Sequence, residues 1–429
     1  MKRVVVRDER KYDLFSSDYR CLQGELTASY REIPRECTST LTLYFYDPKK
    51  GPPDVLTDFR LRTYGNLSQN GLSFDDLAAL HWHVEIKSPN TKEVIEDNYC
   101  LRPAPVTTED GQELYILYKP YLANLIKVSR RQHFALHSTD DESHRLTADS
   151  ARELYKVTGR DLTFLGDMGP RIEIKHPTGE TEDNWPMVRD IEGSSFWAPF
   201  GALEFYMQHL LHKYVKPETY LAFPEIEVKH QFSGAAPEGV FGGIFDWLSE
   251  PTDRWQLLLP FPHAFSRTRR YHVCAGSDPD THYTVVETRS GLCSLKTKKA
   301  AGEINDVLLR DTQAMHTTDT SGEKTSPDTF IRDRGLTKLN AFRKTQLKIP
   351  IALRDGAVFQ FTVDHCVDEN GHILDQVEIE YGGSLNEQPS AEKIFAAMHD
   401  LSTEMENSVE VGSLVSTNVS KYDFFRPAQ

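Results

Sequence analysis

Apolar and polar residues alternate through much of this chain. In PEIEVKHQF (224–232), the charged side chains Glu225, Glu227 and Lys229 fall on alternate positions, with Ile226 and Val228 between them. Residues two apart on a strand share a face, so the segment predicts a strand with one charged and one apolar side. Any antiparallel strand with one wet face looks like this, so the pattern gains meaning only if it recurs. Strand-like segments rich in β-branched and aromatic residues do recur, at 37–47, 59–65, 81–89, 124–137, 145–149 and 170–177. A second series follows at 265–276, 282–299, 342–366 and 373–384. Helical periodicity is confined mainly to FGALEFYMQHLLHKYV (200–215) and to an amphipathic stretch at 389–409 with Ser390 as its N-cap. The polar run 314–330 reads as a loop. The expected class is α+β, mainly antiparallel β with peripheral helices.

The charged faces are numerous and carry both signs. In the first half Glu9 and Lys11 lie two apart, as do Arg60 and Arg62, Glu85 and Lys87, and Glu173 and Lys175; Arg145, Thr147 and Asp149 form a further set, and Arg131 follows the apolar run LIKV. The second half repeats the theme with Arg267 and Arg269, Glu287 and Arg289, Lys296 and Lys298, Thr362 and Asp364, and Glu378 and Glu380. A sheet facing water has no need of acidic pairs on some strands and basic pairs on others. A closed barrel whose lumen holds a polyanion and its metal needs both. Lysine and arginine bind phosphate oxygens, and clustered glutamates offer hard oxygen ligands to Mg²⁺ or Mn²⁺.

Length and composition set limits on this picture. A chain of 429 residues accommodates two domains. No apolar run approaches a membrane span, and the start MKRVVVRDERKY lacks the apolar core of a signal peptide. The six cysteines show no CxxC spacing, as expected of reduced thiols in a cytoplasmic protein. A net charge of -15 argues against a general nucleic-acid binder but leaves room for a local basic pocket.

EIEVKH in the second half resembles the E-x-E-x-K signature of the CYTH proteins, a branch of the triphosphate tunnel metalloenzymes, and YTVVETRSG, SLKTKK and DQVEIEYGG resemble its later strands in order. The likeness covers roughly 222–410. DERKYDLF, TLYFYD, FRLRTYG, HVEIKSP, VSRRQHF, HRLTAD and RIEIKHP resemble, also in order, the VTC-type polyphosphate polymerase domain. The resemblance implies two tandem β-tunnel domains, 1–199 and 222–429, joined by a helical connector at 200–221. It further implies a metal-dependent enzyme acting on ATP, another nucleotide or tripolyphosphate, with Mg²⁺ or Mn²⁺ as cofactor. The net charge and the lack of a membrane-length apolar run make a soluble protein with neither nucleic acid nor membrane as partner the expectation.

Carried over residue by residue, the resemblance makes Lys11, Arg60, Arg62, Lys87, Arg131, Arg145 and Lys175 phosphate-binding in the first tunnel, with Glu9 and Glu173 toward metal. In the second, Glu225, Glu227 and either Glu378 or Glu380 hold the metal. Arg267, Arg289, Lys229, Lys296 and Lys298 neutralise phosphate, and Asp364 holds a second metal or orients water. The segment FRKTQLKIP leaves Arg343 and Lys344 as alternatives for the inward cation, with Lys344 preferred on its alternation with Gln346 and Lys348. The second half lacks the Y-x-D-T element of the family, for which Tyr271 is a weak stand-in. Glycines in GVFGG (239–243) come without a P-loop lysine, and HWH (81–83) fits a partly buried strand end better than a metal site. His133 lies nearer the proposed lumen, as a candidate for proton transfer. Hydrolysis of a triphosphate is the leading expectation. Nucleotidyl cyclisation, polyphosphate synthesis or sensing without turnover are the alternatives.

Overall fold

The computed structural model describes residues 2–6, 8–33, 39–46, 56–64, 77, 80, 82–88, 91–99, 105–107, 113–118, 121–136, 144–158, 161–177, 179–183, 185–196, 225–258, 265–304, 307–315, 325–409 and 413–427. Among these, side chains of 2–6, 45–46, 56–59, 64, 84–124, 136, 158, 225, 265–266 and 299–315 lie outside the description. The chain divides into two compact units, Met1–Phe196 and Trp197–Gln429. The helical reading of 200–215 and most of the loop reading of 314–330 fall outside the described residues; the ends of that loop belong to a strand and a helix.

The first unit contains β1 (Lys2–Val6), β2 (Asp8–Asp13), β3 (Tyr30–Glu32), β4 (Ser39–Tyr46), β5 (Leu56–Tyr64), β6 (Trp82–Ser88), β7 (Thr91–Tyr99), β8 (Pro105–Thr107), β9 (Glu113–Tyr118), β10 (Tyr121–Leu136), β11 (Arg145–Thr158), β12 (Asp161–Asp167) and β13 (Arg171–His176). Its antiparallel pairings run β1-β7-β6-β5-β4-β10-β11-β13-β2. This path begins and ends on consecutive segments of chain, because only Arg7 separates β1 from β2. Strand alternation sends Tyr12, Leu146, Ala148, Ile172 and Ile174 to one side, where they pack with Tyr19, Leu22 and Leu26 of the helix Ser16–Ser29 and with Val188 and Ile191 of the helix Val188–Ser194. The intervening positions, Lys11, Thr147, Asp149, Glu173 and Lys175, therefore share the opposite face.

The second unit contains β14 (Glu225–Ser233), β15 (Trp255–Leu257), β16 (Phe265–Ala275), β17 (Thr281–Glu287), β18 (Cys293–Ile304), β19 (Val307–Met315), β20 (Thr337–Leu353), β21 (Ala357–Asp368), β22 (Ile373–Ser384) and β23 (Ser413–Ser416). Its path β20-β16-β17-β18-β19-β14-β22-β21 returns to its start through a β20–β21 pairing, so the sheet closes. The cyclic order is that of the first unit, with β14 in the place of β1 and β2. β14 even divides its partners likewise: Glu225 to Glu227 pair with β19, and Glu227 to Gln231 with β22.

Outside the ring, Ile226, Val228, Leu347, Ile349, Phe361, Val377 and Ile379 pack with Val240, Ile244, Trp247, Ile394, Met398 and Leu401. The last six come from the helices Pro237–Ser249 and Ala391–Ser408. Each such side chain contributes roughly 1.5–3 kcal/mol by leaving water. The glycines of GVFGG sit within the first helix, which Pro237 starts and Val240, Ile244 and Trp247 anchor. Ser390 caps the second by accepting from the Lys393 amide at 3.5 Å. At the β20–β21 turn Gly356 has φ +92°, a left-handed conformation that suits glycine. Apolar residues thus point outward under helices, and charged ones point inward. Among the described residues, no helix is long and apolar enough to cross a membrane.

Candidate metal and phosphate site

The inward face of β14 and β22 carries the acidic cluster. Register places Glu227 beside Glu380 and Lys229 beside Glu378. Carboxylate oxygens of Glu227, Glu378 and Glu380 lie within 4.8 Å of one another, and among the described residues this is the one group of three with metal-ligating potential. Both glutamates left as alternatives on β22 therefore belong to the cluster. The side chain of Glu225 lies outside the described residues.

Cations surround these carboxylates. Lys229 Nζ is 2.9 Å from Glu227 Oε1 and 3.0 Å from Glu378 Oε1, while Lys298 Nζ is 3.8 Å from Glu227. Lys348 Nζ reaches Glu380 at 3.2 Å and Gln360 at 3.4 Å. Lys344 Nζ is 3.3 Å from Asp364 Oδ2 and sits 5.0 Å from the Tyr271 ring, so Lys344 rather than Arg343 is the inward cation. Arg267 donates to Gln346 at 3.0 Å on the same face. Burial would push the Glu378 carboxyl up, but Lys229, Lys421 and Lys344 outweigh it and hold the group well below the usual carboxylate range. Burial likewise opposes the charge on Lys344, yet Asp364 and Tyr271 raise its pKa. Burial opposes ionisation of the Tyr271 phenol as well, and Lys344, Arg267 and Lys296 override it, lowering its pKa.

One cation has no counterpart in the strand pattern. Lys421, at the start of the C-terminal helix Lys421–Phe425, places Nζ 2.6 Å from Glu378 and 2.8 Å from Asp364. The tail is anchored around it. Thr417 N donates to Lys229 O at 3.0 Å, Gln376 to Val419 O at 3.0 Å, and the Tyr422 hydroxyl to Cys274 O at 2.9 Å. Phe425 stacks on Phe342 at 4.3 Å, within an apolar cluster with Val273, Cys366 and Leu374. The sequence signal is a lone lysine ahead of an aromatic run, SKYDFF, well past 373–384, the last strand-like segment of the sequence.

Two strand-based expectations change with the structure. Glu287 pairs with Arg270 and lies 3.3 Å from His272, on the face opposite Arg267 and Tyr271, because register rather than charge decides the side. Arg289 is buried in the turn after β17, beyond the strand expected to carry it into the lumen. Lys296 remains on β18, two residues from Lys298 and sharing its face.

In the first unit Arg131 forms a two-pronged pair with Asp149, at 2.6 and 2.7 Å, and lies 3.7 Å from Glu173. Lys175 Nζ lies between Glu173, at 2.8 Å, and Glu9, at 3.4 Å; Lys11 holds the other Glu9 oxygen at 3.3 Å. Burial opposes charge on Glu173, but Lys175, Arg131 and Lys11 hold its carboxyl well below the usual range. Arg62 donates to Thr42 at 3.2 Å, and Arg145 pairs in register with Lys175. His133 Nδ1 is 3.2 Å from the Thr147 hydroxyl. Tyr44 joins Lys127, Arg60 and Arg62; burial resists its ionisation, but these cations bring the phenol down to about 7. The side chains of Glu85 and Lys87 lie outside the described residues.

No protein-family model matches this chain, and no curated protein matches it. Among solved structures it is similar to a candidate adenylate cyclase from Vibrio parahaemolyticus, at 10% identity and TM-score 0.28, over 47% of this chain and 97% of that one. It is also similar to the Mimivirus capping enzyme triphosphatase, at 10% identity and TM-score 0.26, over 47% of this chain and 96% of that one. The di-domain ARO/CYC StfQ of the steffimycin pathway overlaps 94% of this chain and 95% of its own, at 6% identity and TM-score 0.16. TM-scores and identities this low leave the functional reading to the chemistry of the site.

Proposed function

We propose that the second unit is a divalent-metal-dependent phosphohydrolase acting on a triphosphate or nucleoside triphosphate. The observation that carries this reading is the convergence of Glu227, Glu378 and Glu380 inside a closed barrel lined with lysines. Burying an ion costs on the order of several kcal/mol, and a buried ion pair is rarely better for stability than a packed apolar pair. Retaining so many buried charges is accounted for by a ligand that needs them.

The donor set fits a hard cation. It consists of carboxylate oxygens, and Asp364 Oδ1 nearby is buried without a hydrogen-bond partner among the described residues. Glu227, Glu378 and Glu380 would hold Mg²⁺ or Mn²⁺, with Glu225 a further candidate. Such an ion, when bound, polarises a phosphoryl oxygen and neutralises charge as the leaving oxygen departs. The chain's own groups do the rest. Lys229, Lys298, Lys344, Lys296 and Arg267 bind phosphate oxygens and hold the chain in line, and Arg289 is retained as a further candidate. Lys348 and Lys421, already paired with the carboxylates, would share their remaining N–H donors with the ligand. Asp364 Oδ1 accepts a hydrogen bond from the attacking water and orients it. Positioning and charge neutralisation supply most of the acceleration. Burial pushes the Cys274 thiol up to about 11 and Cys366 higher still, so neither serves as a nucleophile.

Product analysis tests the reading. Tripolyphosphate or ATP incubated with the protein and Mn²⁺ or Mg²⁺ should yield orthophosphate, and Glu378→Gln should suppress it. Pyrophosphate with a cyclic nucleotide would instead mark a cyclase, and a lengthening chain a polymerase. Tight binding with no product under any metal would leave a sensor in place of an enzyme.

A further inference from the structure

The two units can be matched position by position through strand register. Glu9 faces Lys175 and Lys11 faces Glu173 in the first unit, where Glu227 faces Glu380 and Lys229 faces Glu378 in the second. On the next strand Thr147 faces Glu173 as Thr362 faces Glu378, and Arg145 faces Lys175 as Gln360 faces Glu380. Asp149 faces Arg171 and Arg131, where Asp364 faces Gln376 and Gln346. Two carboxylates of the triad are thus kept, as Glu9 and Glu173, along with Asp149. The third, Glu380, becomes Lys175, and three glutamines become Arg145, Arg171 and Arg131.

These exchanges fill the place a metal would need. The Lys175 ammonium lies between Glu173 and Glu9, at 2.8 and 3.4 Å. Both oxygens of Asp149 are taken by Arg131, whereas Asp364 keeps one oxygen without a hydrogen-bond partner among the described residues. Among the described residues, a divalent ion entering here would meet two carboxylates rather than three. Both units hold an ammonium between two glutamates, Lys229 in the second, but the first has Lys175 where the second has its third carboxylate, Glu380. Deepening the reading of the tunnel as a phosphate site, we infer that the first unit binds a phosphate chain without a divalent metal, Lys175 supplying in place the charge that the metal supplies in the second unit. The sequence expectation of metal ligands at Glu9 and Glu173 gives way to this reading. The ligand class is an inorganic or nucleotide phosphate chain, held by Lys175 with Arg62, Arg60 and Lys127.

The test counts metal ions on the full chain. Mn²⁺ titrated without phosphate and followed by electron paramagnetic resonance should bind once per chain. Glu380→Gln should lose that ion, Glu173→Gln should keep it, and Lys175→Glu should gain a second one. In excess EDTA, tripolyphosphate should still bind once, and Arg60→Ala with Arg62→Ala should weaken that binding more than tenfold. Two ions in the wild type, one of them lost with Glu173→Gln, would overturn the inference, as would complete loss of phosphate binding in EDTA. If Lys175→Glu fails to fold, Glu173→Gln and the EDTA titration decide. Absence of any Mn²⁺ site, with EDTA-resistant binding that needs Arg60 and Arg62, would sink the hydrolase reading of the second unit and uphold this one.

Discussion

The two units share a strand order and differ in what they do with it. In the second, three carboxylates converge and the lysines around them arrive from β14, β18, β20 and the C-terminal tail. In the first, cations stand at the register positions of one carboxylate and three amides, while the carboxylates of both units are already paired with cations. Under the proposed reading, exchanging side chains on the inward face turns a cation-plus-anion site into an anion site, while the outward apolar face stays the same kind of core. The comparison also explains why the lumen tolerates its charge before ligand arrives, since each sign is neutralised within a few ångströms by the other.

The most drastic way to break the comparison is to separate its halves. Each unit has its own apolar core, so the fragments Met1–Phe196 and Trp197–Gln429 should each melt cooperatively in calorimetry. Insolubility of both, with one transition in the whole chain, would mean a single folding unit. Next in size are the paired cations. Lys229→Ala with Lys298→Ala removes two charge-assisted contacts of roughly 1.5–3 kcal/mol each. Isothermal titration should show triphosphate affinity in the second unit falling well over tenfold, with turnover collapsing alongside it. Arg60→Ala with Arg62→Ala should spare the second unit's affinity.

How much of this was open to sequence reading depends on the kind of information each feature needs. Alternation alone put Glu227, Lys229, Glu378 and Glu380 on a charged face, because period two is a local property of a strand. It could not show that Lys175 occupies the register position of Glu380, since register is decided by hydrogen bonds between strands far apart in the chain. Glu287 was misplaced for a related reason: its side is set by pairing with Arg270, not by its charge. GVFGG concealed a helix because glycine lowers helix propensity, while Val240, Ile244 and Trp247 repay it through packing on the barrel. Lys421 was illegible because it enters the site from a short helix outside the repeated strand pattern.

A smaller effect sharpens the role of that tail. Lys421→Ala removes a cation shared by Glu378 and Asp364, so Mn²⁺ should bind more tightly and triphosphate more weakly. Calorimetric titrations moving in the same direction for both ligands would deny Lys421 this balancing role. The smallest expected change concerns Tyr44. With Lys127, Arg60 and Arg62 favouring the phenolate, about one tyrosine should ionise near pH 7, gaining absorbance at 295 nm as pH rises through that value. Tyr44→Phe should abolish this step. Because the folded pKa is depressed, the associated stability is fully present above the ordinary tyrosine range near 10 and is lost as pH falls toward 7.

The central claim is that the carboxylates of the second unit make a metal-dependent triphosphatase. Its most direct measurement is the initial rate of orthophosphate release from tripolyphosphate against Mn²⁺ concentration, for the wild type and Glu227→Gln. Saturable, Mn²⁺-dependent release is predicted for the wild type, with apparent metal affinity or rate at least ~10-fold lower in the variant. Equal curves for the two proteins, or no release from a wild type that binds tripolyphosphate tightly, would contradict it.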